Sequence, residues 1–144
     1  MSSLPEKLFG KKKVKIILDT NILLLPGSRG FDVFTALDSL LQEPFQVCIM
    51  DQSFRELKAI ADGTTKSKGK DKFNAKLGFI LAKQKGLKSL LTSSKESLVD
   101  DQLVAQAKEG VYIVTLDKHL QKRIVAKGEK VITLGQGKSF QFLK

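Results

Sequence analysis

The apolar positions of this chain fall into short β-branched runs that alternate with stretches of helical spacing. Val14, Ile16, Ile17 and Leu18 read as a buried strand, which ends in Asp19-Thr20-Asn21 before apolar residues resume at 22–25. Residues 26–30, PGSRG, read as a loop, and 31–43 place Phe34, Leu37, Leu40 and Leu41 at helical spacing up to Pro44. FQVCIM is a second strand. The helix after it carries Phe54, Leu57 and Ile60 on one stripe. Residues 63–72 lack an apolar anchor and read as a mobile loop; 73–85 then carry Phe73, Leu77, Ile80 and Leu81 up to Gly86. A short strand at 88–91, a helix from Val99 or Asp100 to Lys108, a strand at 111–115, a helix ending in Gly128 and a last strand at 130–134 complete the pattern. Strands alternating with helices imply an α/β fold. The expectation is a three-layer α/β/α sandwich with a mainly parallel central sheet of about five strands.

Composition narrows the class. At 144 residues with 42% hydrophobic positions, the chain suits one folded domain. No apolar run approaches the ~20 residues a bilayer helix needs, and MSSLPEKLFGKKK has no apolar signal core, so the expected location is the cytoplasm. Residues 1–13 read as a basic, flexible N-terminal arm. The single Cys48 allows neither an internal disulfide nor a cysteine pair for zinc.

Charge changes the picture further. Lys and Arg number 25 against 15 acids, a formal +10, which points to a polyanionic partner, with a solubility device as the plainer reading. The basic residues gather at Lys11, Lys12, Lys13 and Lys15, at Lys66, Lys68, Lys70 and Lys72, and at Lys118, Lys122, Arg123, Lys127 and Lys130.

The acids gather elsewhere. Asp19 and Asp117 follow strands, Glu56 lies in the first turns of a helix, and Asp100 and Asp101 open another. In a parallel sheet with right-handed crossovers, strand C-termini and the helix N-termini after them share one edge. Singly, Asp51, Asp100 and Asp117 are equally well explained as helix-terminal residues favoured by the dipole. Together the acids would repel unless a cation sat among them. Oxygen donors suit Mg²⁺ or Mn²⁺, and such a site hydrolyses phosphodiesters. His119 has neither zinc-ligand partners nor a nucleophile beside it and reads as a rim residue. Lys118, Lys122 and Arg123 are candidate phosphate contacts against an ordinary solvated basic face. Glycine-rich nucleotide-binding motifs are absent.

The segments IILDTNILL, SFRELKAI, VDDQLVAQA and YIVTLDKHLQKR, in that order, resemble the PIN-domain ribonucleases. The likeness spans 14–134 and is nearest to archaeal relatives of the small-subunit processome nuclease, with VapC-type toxins as the neighbouring branch. It implies one PIN-like nuclease domain over 1–144 and Mg²⁺- or Mn²⁺-dependent endoribonuclease activity, with one or two ions. Carried onto this chain, it makes Asp19, Glu56, Asp101 and Asp117 the catalytic metal ligands. Asp100 assists as a ligand, and spacing to Val104 and Ala105 prefers Asp101 over it. Thr20, Asn21 and Thr115 are supporting residues. Many relatives carry another acid two residues after the fourth, where this chain has His119. RNA would be gripped by Lys66, Lys68, Lys70, Lys72, Lys118, Lys122 and Arg123.

The implied partners are RNA and, according to branch, ribosome-assembly factors or an antitoxin, with a homodimer as the common family state. Pre-rRNA processing is the leading role. The alternatives are a VapC-type toxin ribonuclease and a non-catalytic PIN-shaped RNA-binding module. A response-regulator receiver fits worse, because its acidic pair and late lysine conflict with the spread of Glu56, Asp101 and Asp117.

Overall fold

The computed structural model describes residues 13–64, 69–92, 98–136 and 139–143. The basic arm at 1–12, Lys66 and Lys68 lie outside the described residues. Chain order is β1 (Val14–Leu18), a 3-10 segment (Thr20–Leu24), α1 (Leu25–Arg29), α2 (Val33–Leu40), β2 (Phe45–Met50), α3 (Asp51–Asp62) and α4 (Gly69–Gln84). It continues with β3 (Lys88–Leu90), α5 (Val99–Gln106), β4 (Val111–Val114), α6 (Lys118–Ala126), β5 (Val131–Leu134) and β6 (Phe140–Phe142).

The strands form one six-stranded sheet in the order β3-β2-β1-β4-β5-β6. The first five run parallel, and β6 pairs antiparallel with β5. Strand periodicity divides the core into two layers. Val14, Ile16 and Leu18 of β1 face the layer built with the 3-10 segment and α1 to α4. Ile17 faces the other, with Leu103 and Ala107 at α5 and Leu120 and Ile124 of α6. The three-layer α/β/α architecture is thus present, with six strands rather than five. β6 is the addition: three residues, Phe-Gln-Phe, with Phe140 buried and Gln141 exposed. So short an alternation at a sheet edge carries little periodic signal.

Two segments read as loops contain helix. PGSRG belongs to α1, where Pro26 stands in the first turn and needs no amide partner. Residues 69–72 form the first turn of α4, with Asp71 at the positive end of its dipole. The buried side of α4 is also not the expected one: Asn74, Ala75, Gly78 and Ala82 face the core, whereas Phe73 and Ile80 are 63% and 50% exposed. Small residues are required because α4 crosses the chain leaving β1 at close range. A Cβ on Gly78 would overlap the Leu23 carbonyl, and one on Gly27 would meet Asn74. Among the described residues, no helix is long and apolar enough to cross a membrane.

Candidate active site

β1 lies between β2 and β4, and the connections leaving β1 and β4 pass to opposite faces of the sheet. This is the topological switch point at which open α/β sheets place ligands, outside the strands' carboxyl ends. Asp19 leaves β1 there, and Thr115 and Asp117 leave β4. The two strand ends are joined through the backbone, since the Asp19 N–H donates to the Val114 carbonyl at 2.9 Å.

Asp19 occupies the N-cap position of the 3-10 segment but makes no side-chain capping bond. Its carboxylate turns instead into the sheet edge, where the residue is only 8% exposed. The fully buried Thr115 fixes it: its hydroxyl donates to Asp19 Oδ2 at 2.7 Å and accepts from the Asp117 N–H at 3.1 Å. Asp117, exposed at the mouth, does cap α6, with Oδ1 accepting from the His119 and Leu120 N–H groups at 2.9 and 3.2 Å.

Burial pushes the Asp19 carboxyl above the ordinary carboxylate range. The Thr115 hydroxyl and the Thr20 N–H pull it down, and the negative charges of Asp100 and Asp117 push it up again. Beside it, Thr20 is 4% exposed and its hydroxyl has no hydrogen-bond partner among the described residues.

The other acids are placed differently. Asp101 pairs with Arg123 of α6, Nη2 to Oδ1 at 2.9 Å, so this arginine holds a carboxylate rather than standing free. Glu56 is exposed on α3, and Asn21 is exposed beside Thr20. Asp51 accepts from Thr92 and from Arg55, and the Thr92 hydroxyl foremost holds its carboxyl below the usual range. Lys118 and Lys122 are exposed along α6, and Lys70 lies on the open side of α4, with Lys72 half-buried. Asp100 and Asp117 therefore both act on the Asp19 carboxylate, while Asp101 is engaged by Arg123 and Glu56 is exposed on α3. Among the described residues, no group of three or more His, Cys, Asp or Glu side chains is already arranged to hold a metal. The donor set still fits a hard divalent cation: the oxygens are carboxylates, and a cation would favour the charged form that burial disfavours at Asp19.

Two supports escape inspection of the sequence. Gln121 is buried on α6, and its amide donates to the Thr115 carbonyl at 2.8 Å and to the Thr133 hydroxyl at 3.0 Å. It stands between Leu120 and Ile124 on the buried face of an otherwise basic helix, which was the available signal. The Gln102 amide donates to Gln52, tying α5 to α3; nothing in the spacing of two glutamines fifty residues apart announces that pair.

Comparison with known proteins agrees with this fold. A solved structure described as that of the PIN domain endonuclease Utp24 superposes with a TM-score of 0.72 at 21% identity, covering 89% of this chain and 90% of that one. At that identity the likeness is one of fold. No curated protein matches the chain in sequence. Residues 16–137, however, match the family model described as a PIN-like domain, and the chain belongs to that family.

Proposed function

We propose that this protein is a metal-dependent endoribonuclease that hydrolyses RNA phosphodiester bonds, acting in the cytoplasm in the processing of ribosomal RNA. The observation that carries the reading is Asp19: a buried carboxylate, oriented by Thr115, in the field of Asp100 and Asp117. A protein that only needed stability would gain from an apolar residue there. The PIN-like family membership and the fold shared with a PIN domain endonuclease support a nuclease. The resemblance of the DDQLV and DKHLQKR segments to processome relatives supports the ribosomal role.

Asp19, Asp100 and Asp117 are the residues that would hold Mg²⁺ or Mn²⁺, with Glu56 and Asp101 as the further carboxylates of the family pattern. A divalent ion bound there supplies a water of lowered pKa and charge stabilisation for the leaving oxygen. The chain's own contribution is positional. Thr115 presents Asp19 in one orientation, Gln121 holds the Thr115 backbone, and the α6 N-terminus fixes Asp117. Lys118 and Lys122, exposed next to Asp117, neutralise the phosphates on either side of the cut.

The test is cleavage of a 5′-labelled single-stranded RNA with Mn²⁺ or Mg²⁺, beside EDTA and beside Asp19→Asn. The reading requires cleavage that both EDTA and the substitution abolish. A second reading, an RNA-binding module without catalysis, draws on the Asp101–Arg123 pairing, which engages one of the family's acids with a cation of the chain itself. RNA bound but left intact under every metal condition would establish it instead.

A further inference from the structure

The outer face of α4 carries a pattern that the site does not use. Lys70, Phe73, Lys76, Ile80 and Lys83 recur at spacings of three and four residues, so they share one side of the helix. That side is opposite the buried face made by Asn74, Ala75, Gly78 and Ala82. Phe73 and Ile80 are 63% and 50% exposed, unusual for large apolar residues on a helix otherwise packed by small ones. The helix holds four lysines against the single acid Asp71. The opposite, buried side of the same helix meets the segment next to the site, where Gly78 abuts Leu23 in the 3-10 segment that directly follows Asp19.

We infer that this face is a binding lane for single-stranded RNA, in which a base stacks on Phe73 while Lys70 and Lys76 meet the flanking phosphates. The inference rests on the endoribonuclease reading and extends it, by giving the substrate a contact outside the acidic edge. Alternating cations and an exposed aromatic ring are what sequence-tolerant single-strand binding uses: charge tracks the backbone and the ring face takes a base. A helix this basic does not suit a second copy of itself, since the same lysines would face each other across the contact. It suits a polyanion, in keeping with the formal charge of +10 on the whole chain. The site also has a structural reserve. Lys83 lies over the stacked Phe54 and Phe79 rings, 5.2 and 5.6 Å from their centroids, and so braces α4 against α3. Phe73 can therefore be replaced without touching the packing that holds the helix.

The experiment is binding of a fluorescein-labelled oligouridylate to the full chain in EDTA, followed by anisotropy. The expected result is that Phe73→Ala weakens binding about 5- to 150-fold, the equivalent of the ~1–3 kcal/mol of one base stack. Phe73→Tyr should retain the affinity, with all melting temperatures unchanged. The chain has no tryptophan, so Phe73→Trp adds a single indole whose emission should be quenched by the bound oligonucleotide. Unchanged affinity in Phe73→Ala together with an unquenched indole overturns the lane while leaving the nuclease reading in place. A dimer seen by sedimentation that Phe73→Ser dissolves also overturns it and makes the face self-associating. No binding of the oligouridylate by the wild-type chain overturns the lane as well, whereas the endoribonuclease reading stands or falls on metal-dependent cleavage, so the two failures are distinct.

Discussion

Thr115→Val removes one oxygen from the centre of the site and leaves the shape of the side chain almost unchanged. Two hydrogen bonds disappear: the 2.7 Å bond to the Asp19 carboxylate and the 3.1 Å bond from the Asp117 N–H. A bond to a charged group is worth about 1.5–3 kcal/mol and one between neutral groups about 1 kcal/mol. The added methyl is buried and returns about 0.8 kcal/mol. The net loss is then roughly 2–3 kcal/mol, or on the order of 6–12 °C in Tm for a chain of this size. Differential scanning calorimetry in EDTA at pH 7.5 measures it, with Thr115→Ser as the partner variant that keeps the hydroxyl. The loss must also depend on pH. The Thr115 bond is the strongest influence pulling the raised Asp19 pKa down, so its removal raises that pKa further. The deficit should therefore shrink as the pH falls toward the ordinary aspartate value, where Asp19 is mostly protonated in the folded form of both proteins. A valine variant within about 2 °C of wild type, or a serine variant as unstable as the valine one, would show that Thr115 does not hold Asp19 in the manner described.

Asp19→Asn should stabilise the protein in EDTA at neutral pH. A carboxyl whose folded pKa is raised contributes most below its unfolded value of 3.8 and loses that contribution as pH rises through the folded pKa. The Tm gap between the asparagine variant and wild type should accordingly widen over that window and then stay constant; a gap that narrows with rising pH contradicts the burial argument. Gly78→Ala should cost about 1–3 kcal/mol by urea unfolding, since the new methyl must displace the Leu23 carbonyl; an unchanged midpoint would mean that α4 does not approach so closely. Arg123→Gln breaks the 2.9 Å pair with Asp101, whose members are 36% and 35% exposed. Its stability cost should stay below about 1 kcal/mol, while Mn²⁺ affinity by calorimetry rises because Asp101 is released; weaker Mn²⁺ binding would show that the arginine positions Asp101 instead.

The elements with strong periodicity were readable in the residues. β2 runs over Phe45–Met50 as its apolar run implies, and β1, β4 and α6 lie within a residue or two of expectation. What was not readable depends on contacts distant in sequence. The glycines of α1 and α4 look like breakers when taken locally, yet they are there because two segments touch at backbone range. The exposed position of Phe73 follows from the same contact, which assigns the buried face of α4 to small residues and leaves the large ones outside. At the site, the topology accounts for Asp19 and Asp117 leaving neighbouring parallel strands at one sheet edge. It does not account for which carboxylate faces which neighbour: the spacing preferred Asp101, whereas Asp100 lies in the field of Asp19 and Asp101 meets Arg123. Adjacent residues of one helix point about 100° apart, so a doubled acid offers two directions and the sequence does not choose between them. Asp117 caps α6 as its helix-terminal position allows, whereas Asp19, which also directly precedes a helical segment, makes no side-chain cap.

The central claim is that the acidic edge of this sheet is a divalent-metal site. Anomalous diffraction from a crystal soaked in Mn²⁺ tests it directly. The account predicts a peak at the carboxylate of Asp19, between Asp100 and Asp117, that is lost in Asp19→Asn. A well-ordered soaked crystal with no peak there, or with Mn²⁺ bound only elsewhere on the molecule, would contradict it.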